Sequence, residues 1–409
     1  MSELYKLPDG WEWKKLDELT EVNIGKTPSR SKSEYFLGNK IWLSIRDLKS
    51  DYISDSNEKI TDEAIKTSNM KVIPKGTLMM SFKLTLGKTA FADCDLYTNE
   101  AIASLPIKNE NVIDKYFLKY SINVIDLEKE VDNAVKGKTL NKEKIKNLDI
   151  PLPPLEEQKR IVDKLDNLFA KIDKAIALHQ KNIDEADIFM ASFLNDVFAE
   201  LKEKYGLNIL SDSVANPKKD IVDGPFGSNL KATEYIDSGI PIIRLQNIQR
   251  FQFIEKDIKF VSEEKAQQLQ RHTFISGDIV ITKLGDPLGK SCIVPNFLEN
   301  GIIVADVIRV RVDETKSNSR YINYSINSPI SINQFSDSST GATRQRVKLT
   351  MVRDLKIPLP PLPTQQKVVS YLDEISNKME KIKQIQKDKM QSLKELKASI
   401  LDKAFKGEL

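Results

Sequence analysis

The chain has 409 residues, 40% of them hydrophobic and 30% charged, with 62 Lys and Arg against 59 Asp and Glu for a net charge of +3. That is enough chain for two or three cored domains, and the composition excludes a disordered polymer; the near-neutral balance permits nucleic-acid binding through local patches without arguing for it. No apolar run approaches the ~20 residues that span a bilayer and residues 1–20 hold no apolar signal segment, so a cytoplasmic protein is expected, with Cys94 and Cys292 as free buried thiols.

The first block, residues 1–149, opens with LPDGWEWKKLDEL, a strand-like lead-in. A polar loop follows at Ile24-Gly-Lys-Thr-Pro-Ser-Arg30, then the apolar run IWLSIRDL, which suits a buried strand. Val72-Ile-Pro-Lys-Gly76 reads as a turn, Thr77–Phe82 as a strand, and Lys83–Lys88 as a second polar loop. A helix is expected near Asp114–Val124, and Gly137-Lys-Thr139 marks a further loop.

Residues 150–205 begin with the proline cluster IPLPPL, which blocks regular structure because proline fixes φ and has no N–H to donate. About 45 residues of helical pattern follow. Val162, Phe169, Ile176, Ile183, Met190 and Val197 form one seam, and Leu165, Ile172, His179, Ala186 and Phe193 the other, at the 3–4 spacing of a coiled coil. The second block, 206–355, repeats the programme of the first. GPFGSNL stands for the first Gly/Pro loop, GIPIIRLQN for the IWLSIRDL strand, FISGDIVI for VIPKGTLMM, and Thr282–Lys290 for the basic loop, so that Gly289-Lys290 matches Gly87-Lys88. Residues 356–409 then repeat the proline turn and the long helix 207 positions on, through Val368, Leu372, Ile375, Met379, Ile382, Gln386, Lys389, Leu393, Leu396 and Ile400. At 1.5 Å per residue each helix runs on the order of 65–75 Å, and the other copy is the expected packing partner.

Taken in order, LPDGWEWKKL, the GKTPSR…EYF…IWLSIRDL run, DGPFGSNLKATEY…GIPIIRLQNI, the doubled IPLPPL…(E/Q)Q and ILDKAFKGEL resemble the DNA-specificity (S) subunit of a type I restriction-modification system over essentially the whole chain. The second proline turn departs from the pattern with Pro363-Thr-Gln-Gln366 where the first has Glu156-Glu-Gln158, leaving Gln158 and Gln365 as the shared feature. The resemblance implies an α+β fold: two α/β target-recognition domains, separated and joined by two long helices in an antiparallel coiled coil, with an internal pseudo-twofold repeat. It implies double-stranded DNA as ligand, two methyltransferase (modification) subunits gripping the helices, and restriction subunits joining them. Each recognition domain would read one half of a bipartite target, the helices setting the spacer.

A catalytic chain is the rival reading, as a methyltransferase or nuclease with degenerate motifs. There is no GxxxxGK(S/T) loop to cradle phosphates, no Gly-rich loop for S-adenosylmethionine, and no Asn/Asp-Pro-Pro-aromatic tetrapeptide. Two histidines and two scattered cysteines make no zinc site. Asp257…Glu263-Glu264-Lys265 imitates a metal cluster, but Ser262 capping a helix with acidic residues in its first turn accounts for it better. The resemblance implies that S-adenosylmethionine, ATP and magnesium are expected on the partner subunits only. A purely structural coiled-coil adaptor is the second alternative.

DNA reading needs cations for phosphates and amide or guanidinium groups for base edges. In the first block the candidates are Lys26, Thr27, Ser29, Arg30, Arg46, Lys83, Lys88 and Lys138. In the second they are Ser228, Asn229, Lys231, Arg244, Gln246, Asn247, Lys283, Lys290, Thr343, Arg344 and Gln345. His179 and its repeat equivalent Gln386 lie near the middle of their helices and are expected to meet as a register-setting polar layer if the helices run antiparallel. Ile161, Leu168, Ala175 and Phe189, flanking the first seam, are the expected surface for partner subunits.

Overall fold

The computed structural model describes residues 5–127, 132–134, 137–337 and 345–409. The chain divides into two compact units, residues 1–178 with 389–409, and residues 179–388.

In the first unit, eight strands form two sheets: β1 (Asn23–Ile24), β2 (Lys40–Leu43), β3 (Tyr52–Ile53), β4 (Glu58–Ile60), β5 (Leu78–Ser81), β6 (Thr89–Ala92), β7 (Tyr97–Thr98) and β8 (Ile102–Leu105). The larger sheet has the order β1-β8-β5-β6-β3, the smaller β4-β2-β7. Strands β5 and β8 are buried on both faces, so they read as continuous apolar runs rather than alternating ones. Helix α1 (Lys115–Val124) covers the larger sheet; Asp114 caps it, its Oδ1 accepting the amides of Tyr116 at 2.8 Å and Phe117 at 2.9 Å. The long helix α2 (Leu155–Tyr205) starts in this unit.

The second unit repeats the scheme with β9 (Ile221–Asp223), β10 (Ile240–Ile243), β11 (Lys259–Val261), β12 (Thr273–Ile275), β13 (Ile279–Thr282), β14 (Ser291–Ile293), β15 (Asn300–Ile303) and β16 (Val307–Val310). Its sheet orders, β9-β16-β13-β14 and β11-β10-β15-β12, match β1-β8-β5-β6 and β4-β2-β7 strand for strand. The differences lie at edges: only the first unit has β3, and only the second has β12. Helix α3 (Ser319–Ile326), capped by Asn318, stands for α1, and α4 (Leu362–Phe405) is the second long helix.

The proline turns do more than interrupt. Asp149–Leu152 is a strand paired antiparallel with Glu12–Lys15, Pro151 opposite Trp13, and Lys356–Ile357 pairs with Asn208–Ile209 in the same way. A two-stranded ribbon tolerates a residue without an N–H on its open side, which is why the prolines do not exclude pairing here. Each ribbon ties the start of a recognition block to its end. The helices accordingly begin later than the proline clusters, at Leu155 and Leu362, with Pro363 in the first turn where its missing donor costs nothing.

Within each unit the two long helices pair antiparallel. In the first, Asp173 meets Lys397 at 2.8 Å and the Arg160 guanidinium donates to the Leu409 carbonyl at 2.9 Å; Val162, Leu165, Phe169 and Ile172 are buried with Phe117, Ala404 and Phe405. In the second, Asp187 meets Lys383 at 2.7 Å and Phe193 packs edge-on against Tyr371. His179 Nδ1 lies 2.5 Å from Gln386 Oε1, and the Asn182 amide donates to the same oxygen at 3.4 Å. The seam of α4 differs from its expected course. Ile382 and Leu396 are exposed, at 39% and 48%, as is Lys389, while Lys383, Met390 and Lys397 are partly buried in their place. Lysine stems cover the apolar stripe and their ammonium groups reach carboxylates of α2. Ile161 also differs from expectation: it is 1% exposed, in the core with Phe117 and Phe405, so it offers partners no surface, whereas Phe189 is half exposed.

Candidate nucleic-acid interface

Strand direction decides where the candidate residues collect. β1 and β5 both pair antiparallel with β8, so their C-terminal ends lie together beside the start of β8. The Gly25 amide donates to the Ile102 carbonyl at 3.1 Å, that of Lys26 to Thr98 at 2.9 Å and that of Phe82 to Ala101 at 3.0 Å. β2 ends at the same place, where the Asn99 amide reaches the Leu43 carbonyl at 2.9 Å. The loops 25–30, 44–47 and 82–88 therefore gather at one end of the first unit. Three of these bonds recur in the second, Gly224 donating to Val307, Lys283 to Asp306 and Val304 to Ile243, and Val347 donates to Lys283 as Leu140 does to Phe82. Loops 224–230, 244–247, 283–290 and the segment 345–347 gather there. Glycine is required at both roots, since a Cβ on Gly25 would lie 2.2 Å from the Asn99 carbonyl and one on Gly224 1.9 Å from that of Val304.

Within this frame the candidates divide. Arg46, Lys88, Ser228, Asn229, Gln246 and Gln345 are exposed, and Lys83 and Lys290 half-buried. Ser29 bonds Ser31 at 2.8 Å, and Thr27 donates to Glu100. Lys26 donates to the carbonyls of Ser68 at 3.2 Å and Asn69 at 2.9 Å. Arg30 lies over the Phe36 ring, 4.4 Å from its centroid, and grips Glu58 with both terminal nitrogens; that bond holds the Glu58 carboxyl below its usual range and raises the guanidinium. Arg244 grips Asp257 at 2.9 Å, which holds that carboxyl low, and Gln246 reaches the same carboxylate at 3.4 Å. Lys231 is exposed, its backbone amide donating to Glu234 at 2.7 Å.

Two candidates face inward. Asn247 is fully buried: its Oδ1 accepts the Arg244 amide at 3.1 Å, and its Nδ2 donates to the Ile254 and Lys256 carbonyls, each at 3.0 Å. Its repeat equivalent Asp47 does the same work, accepting from Ser44 and Asn57. Lys283 is 6% exposed, donating to Asp223 and to the Ala305 carbonyl, each at 2.9 Å. By its backbone bonds Lys283 occupies the position of Phe82, not that of Lys83. Both side chains are buried and bonded to the protein's own groups. Thr343, Arg344 and the Lys138 side chain lie outside the described residues. Arg346, next to Gln345 and outside the candidate set, is ion-paired with Asp306 at the same loop cluster; the alternating basic run Arg344-Gln345-Arg346 is its signal in the sequence.

The scaffold behind the loops is duplicated in its main bonds, the first copy having one more. Gln158 Oε1 accepts the Asp114 amide at 2.8 Å, and its Nε2 donates to Pro153 at 2.8 Å and Val112 at 2.9 Å. Gln365 Oε1 accepts the Asn318 amide at 2.9 Å and its Nε2 donates to Pro360 at 2.8 Å. Tyr120 donates to Asp166 at 2.5 Å and Tyr324 to Asp373 at 2.8 Å. Each glutamine thus locks a proline turn to the cap of its recognition helix, and each tyrosine ties that helix to a long one. The family model of the type I restriction modification DNA specificity domain matches residues 8–185 and again 227–388, the two copies of this scaffold.

The chain belongs to that family. It is a specificity-subunit chain, a DNA-recognition component of a type I restriction-modification complex rather than a catalytic one. The MjaIX specificity subunit of Methanocaldococcus jannaschii is 25% identical over 422 residues, covering 100% of this chain and 95% of its own. A chain from a structure described as the assembly and conformational transition of the type I R-M system superposes with a TM-score of 0.72 at 21% identity, over 99% of this chain and 100% of its own. The HsdS subunit of Thermoanaerobacter tengcongensis gives 0.50 at 20% identity, over 100% and 99%. Among the described residues of this specificity subunit, no cluster of His, Cys, Asp and Glu is placed to hold a metal, and no helix is long and apolar enough to cross a membrane. The nuclease-like fragment is a capped helix, Ser262 Oγ accepting the Lys265 amide at 3.2 Å ahead of Glu263–Gln268.

Proposed function

We propose that each recognition unit docks its loop cluster on duplex DNA and reads one half of a bipartite target, while α2 and α4 set the unread interval. Two methyltransferase subunits would hold the helices, with restriction subunits joining in the full cytoplasmic complex. S-adenosylmethionine, ATP and magnesium would belong to those partners. The observation that carries this reading is the contrast within the repeat: Gln158 and Gln365, and Tyr120 and Tyr324, keep the same bonds, while the loops they support share hardly a polar residue. A duplicated support under different loops is what two readers of different bases require.

Exposed Arg46, Lys88, Gln246 and Gln345 supply phosphate and base-edge groups. Arg30 is held by Glu58 in a two-nitrogen fork that a phosphate or a guanine edge reproduces, and Arg244 by Asp257 through one nitrogen that a phosphate can take over. The test is a chimera. Replacing residues 207–355 with the block of a related chain, and mapping methylation with the partner subunits present, should change one half of the target and leave the other. A change in both halves would refute the two-reader reading.

A further inference from the structure

Each loop cluster carries one large apolar side chain that the fold does not use. Phe226, in the second unit, is 81% exposed, and Leu84, in the first, is 72% exposed. Phe226 follows buried Pro225 and sits on a short turn closed by the Asn229 amide on its own carbonyl at 2.7 Å. The loop is rooted by Gly224 against the Val304 carbonyl at one end and by buried Leu230 at the other. Leu84 stands at the tip of the β5–β6 loop with a φ of +61°, a left-handed conformation that a bulky residue rarely adopts, between Lys83 and Lys88. Leu37, equally exposed, precedes the N-terminal end of β2 and so lies away from the cluster, which gathers past that strand's C-terminal end.

We propose that Phe226 and Leu84 are apolar wedges that press into base steps of the DNA, one in each half-site. The proposal rests on the reading that both loop clusters dock on duplex DNA. A lone exposed apolar residue is ordinary on a protein surface. Here, though, the two units place theirs on different loops, Leu84 between β5 and β6 and Phe226 after β9, yet at the same end of equivalent sheets. Both share their loops with groups suited to a nucleic acid: Lys83 and Lys88 lie in the loop of Leu84, which on one side borders a cavity lined by Leu86, Ile122, Ile125 and Leu127, and Ser228, Asn229 and Arg346 belong to the cluster of Phe226. Cations that hold the backbone together with an apolar wedge that parts a base step is the chemistry of proteins that bend or open the duplex. Pro225 and the glycine root hold Phe226 out before any ligand arrives, so little ordering remains to be done on binding. The consequence is a preference at each half-site for flexible pyrimidine–purine steps, independent of hydrogen bonds to base edges.

The test uses the complex with its methyltransferase subunits and a duplex carrying 2-aminopurine, which brightens when unstacked, at successive positions through both half-sites. Wild-type complex should raise the fluorescence at one step in each half. Phe226→Ala should abolish the rise in the second unit's half alone and weaken binding on the order of tenfold to a hundredfold, the range for losing one stacked base. Leu84→Ala should do the same in the other half, and Phe226→Trp should keep the signal. If wild type binds its target with no rise anywhere, or if both alanine variants bind and brighten as wild type does, the wedge is refuted while the two-reader reading stands. If DNA binding is unchanged but either alanine variant fails to assemble with its partner subunits, that side chain is a protein contact and the proposal falls. Failure of wild type to bind any duplex would instead overturn the two-reader reading.

Discussion

Gln158 and Gln365 show how a single side chain can hold a junction. Both are buried, at 0% and 1%, and each closes the turn before a long helix while accepting from the cap of a recognition helix. Truncation would leave buried groups unpaired, at about 1–3 kcal/mol apiece. Gln158 has three backbone partners and Gln365 two, so Gln158→Ala should lower the urea midpoint more than Gln365→Ala, an order that urea titration of the two variants checks. Cys292 gives a second residue-scale expectation. Burial pushes its thiol up to about 12, so it should resist a maleimide at pH 8 until the protein unfolds. The sign of the linkage follows: above the ordinary thiol range the unfolded chain loses this proton while the folded one keeps it, so stability falls as pH rises from about 9 toward 12. Tyr120 and Tyr324, both raised chiefly by burial, act in the same direction at higher pH. Cys292→Ala should flatten the first part of that decline, as read by urea midpoints at pH 8 and pH 10.

At the scale of elements, α2 was legible because its seam is built from residues of one kind. Val162, Leu165, Phe169, Ile172, Ile183 and Ala186 are all buried where the 3–4 spacing puts them. In α4 the spacing continued but the residues misled. Two amphipathic lysines, Lys383 and Lys397, hold seam positions because their stems pack and their charges pair with α2, and this displaces Ile382 and Leu396 outward. A similar limit applies to the loops. The loop 283–290 is one residue longer than 82–88, so the match of Gly289-Lys290 to Gly87-Lys88 does not carry back to the start of the loop, where backbone bonds place Lys283 at the buried position of Phe82. Asn247 carries base-reading chemistry and is spent on a loop, which no spacing reveals. The polar layer is a further element-scale test. His179 and Gln386 sit in a partly buried apolar seam where a hydrophobic pair would bury more surface. The double variant His179→Leu with Gln386→Leu should raise the urea midpoint, while either single change should lower it by leaving one polar group without its mate. Urea titration of the three variants checks both signs.

At the scale of the molecule, α2 with 51 residues and α4 with 44 each run unbroken through both units. Under the proposed function these helices determine how many base pairs go unread. Seven residues return the same face of a coiled-coil helix, so one heptad added to each of α2 and α4, beside His179 and beside Gln386, preserves the seam; a heptad in one alone has nothing to pair with. The paired insertion adds about 10 Å of helix at 1.5 Å per residue. At about 3.4 Å per base pair that is roughly three base pairs of DNA. Three base pairs also turn the far half-site by about 100°, given roughly 10–10.5 base pairs per turn, so some affinity is lost with the added length. The bases read at each end belong to the loop clusters and should not change. Methylation-site mapping with the partner subunits separates the outcomes. A spacer longer by about three base pairs, between unaltered half-sites, is expected. An active insertion variant with its original spacer would show that the helices do not set the interval, and altered half-sites would show that the loops read DNA only in one fixed arrangement.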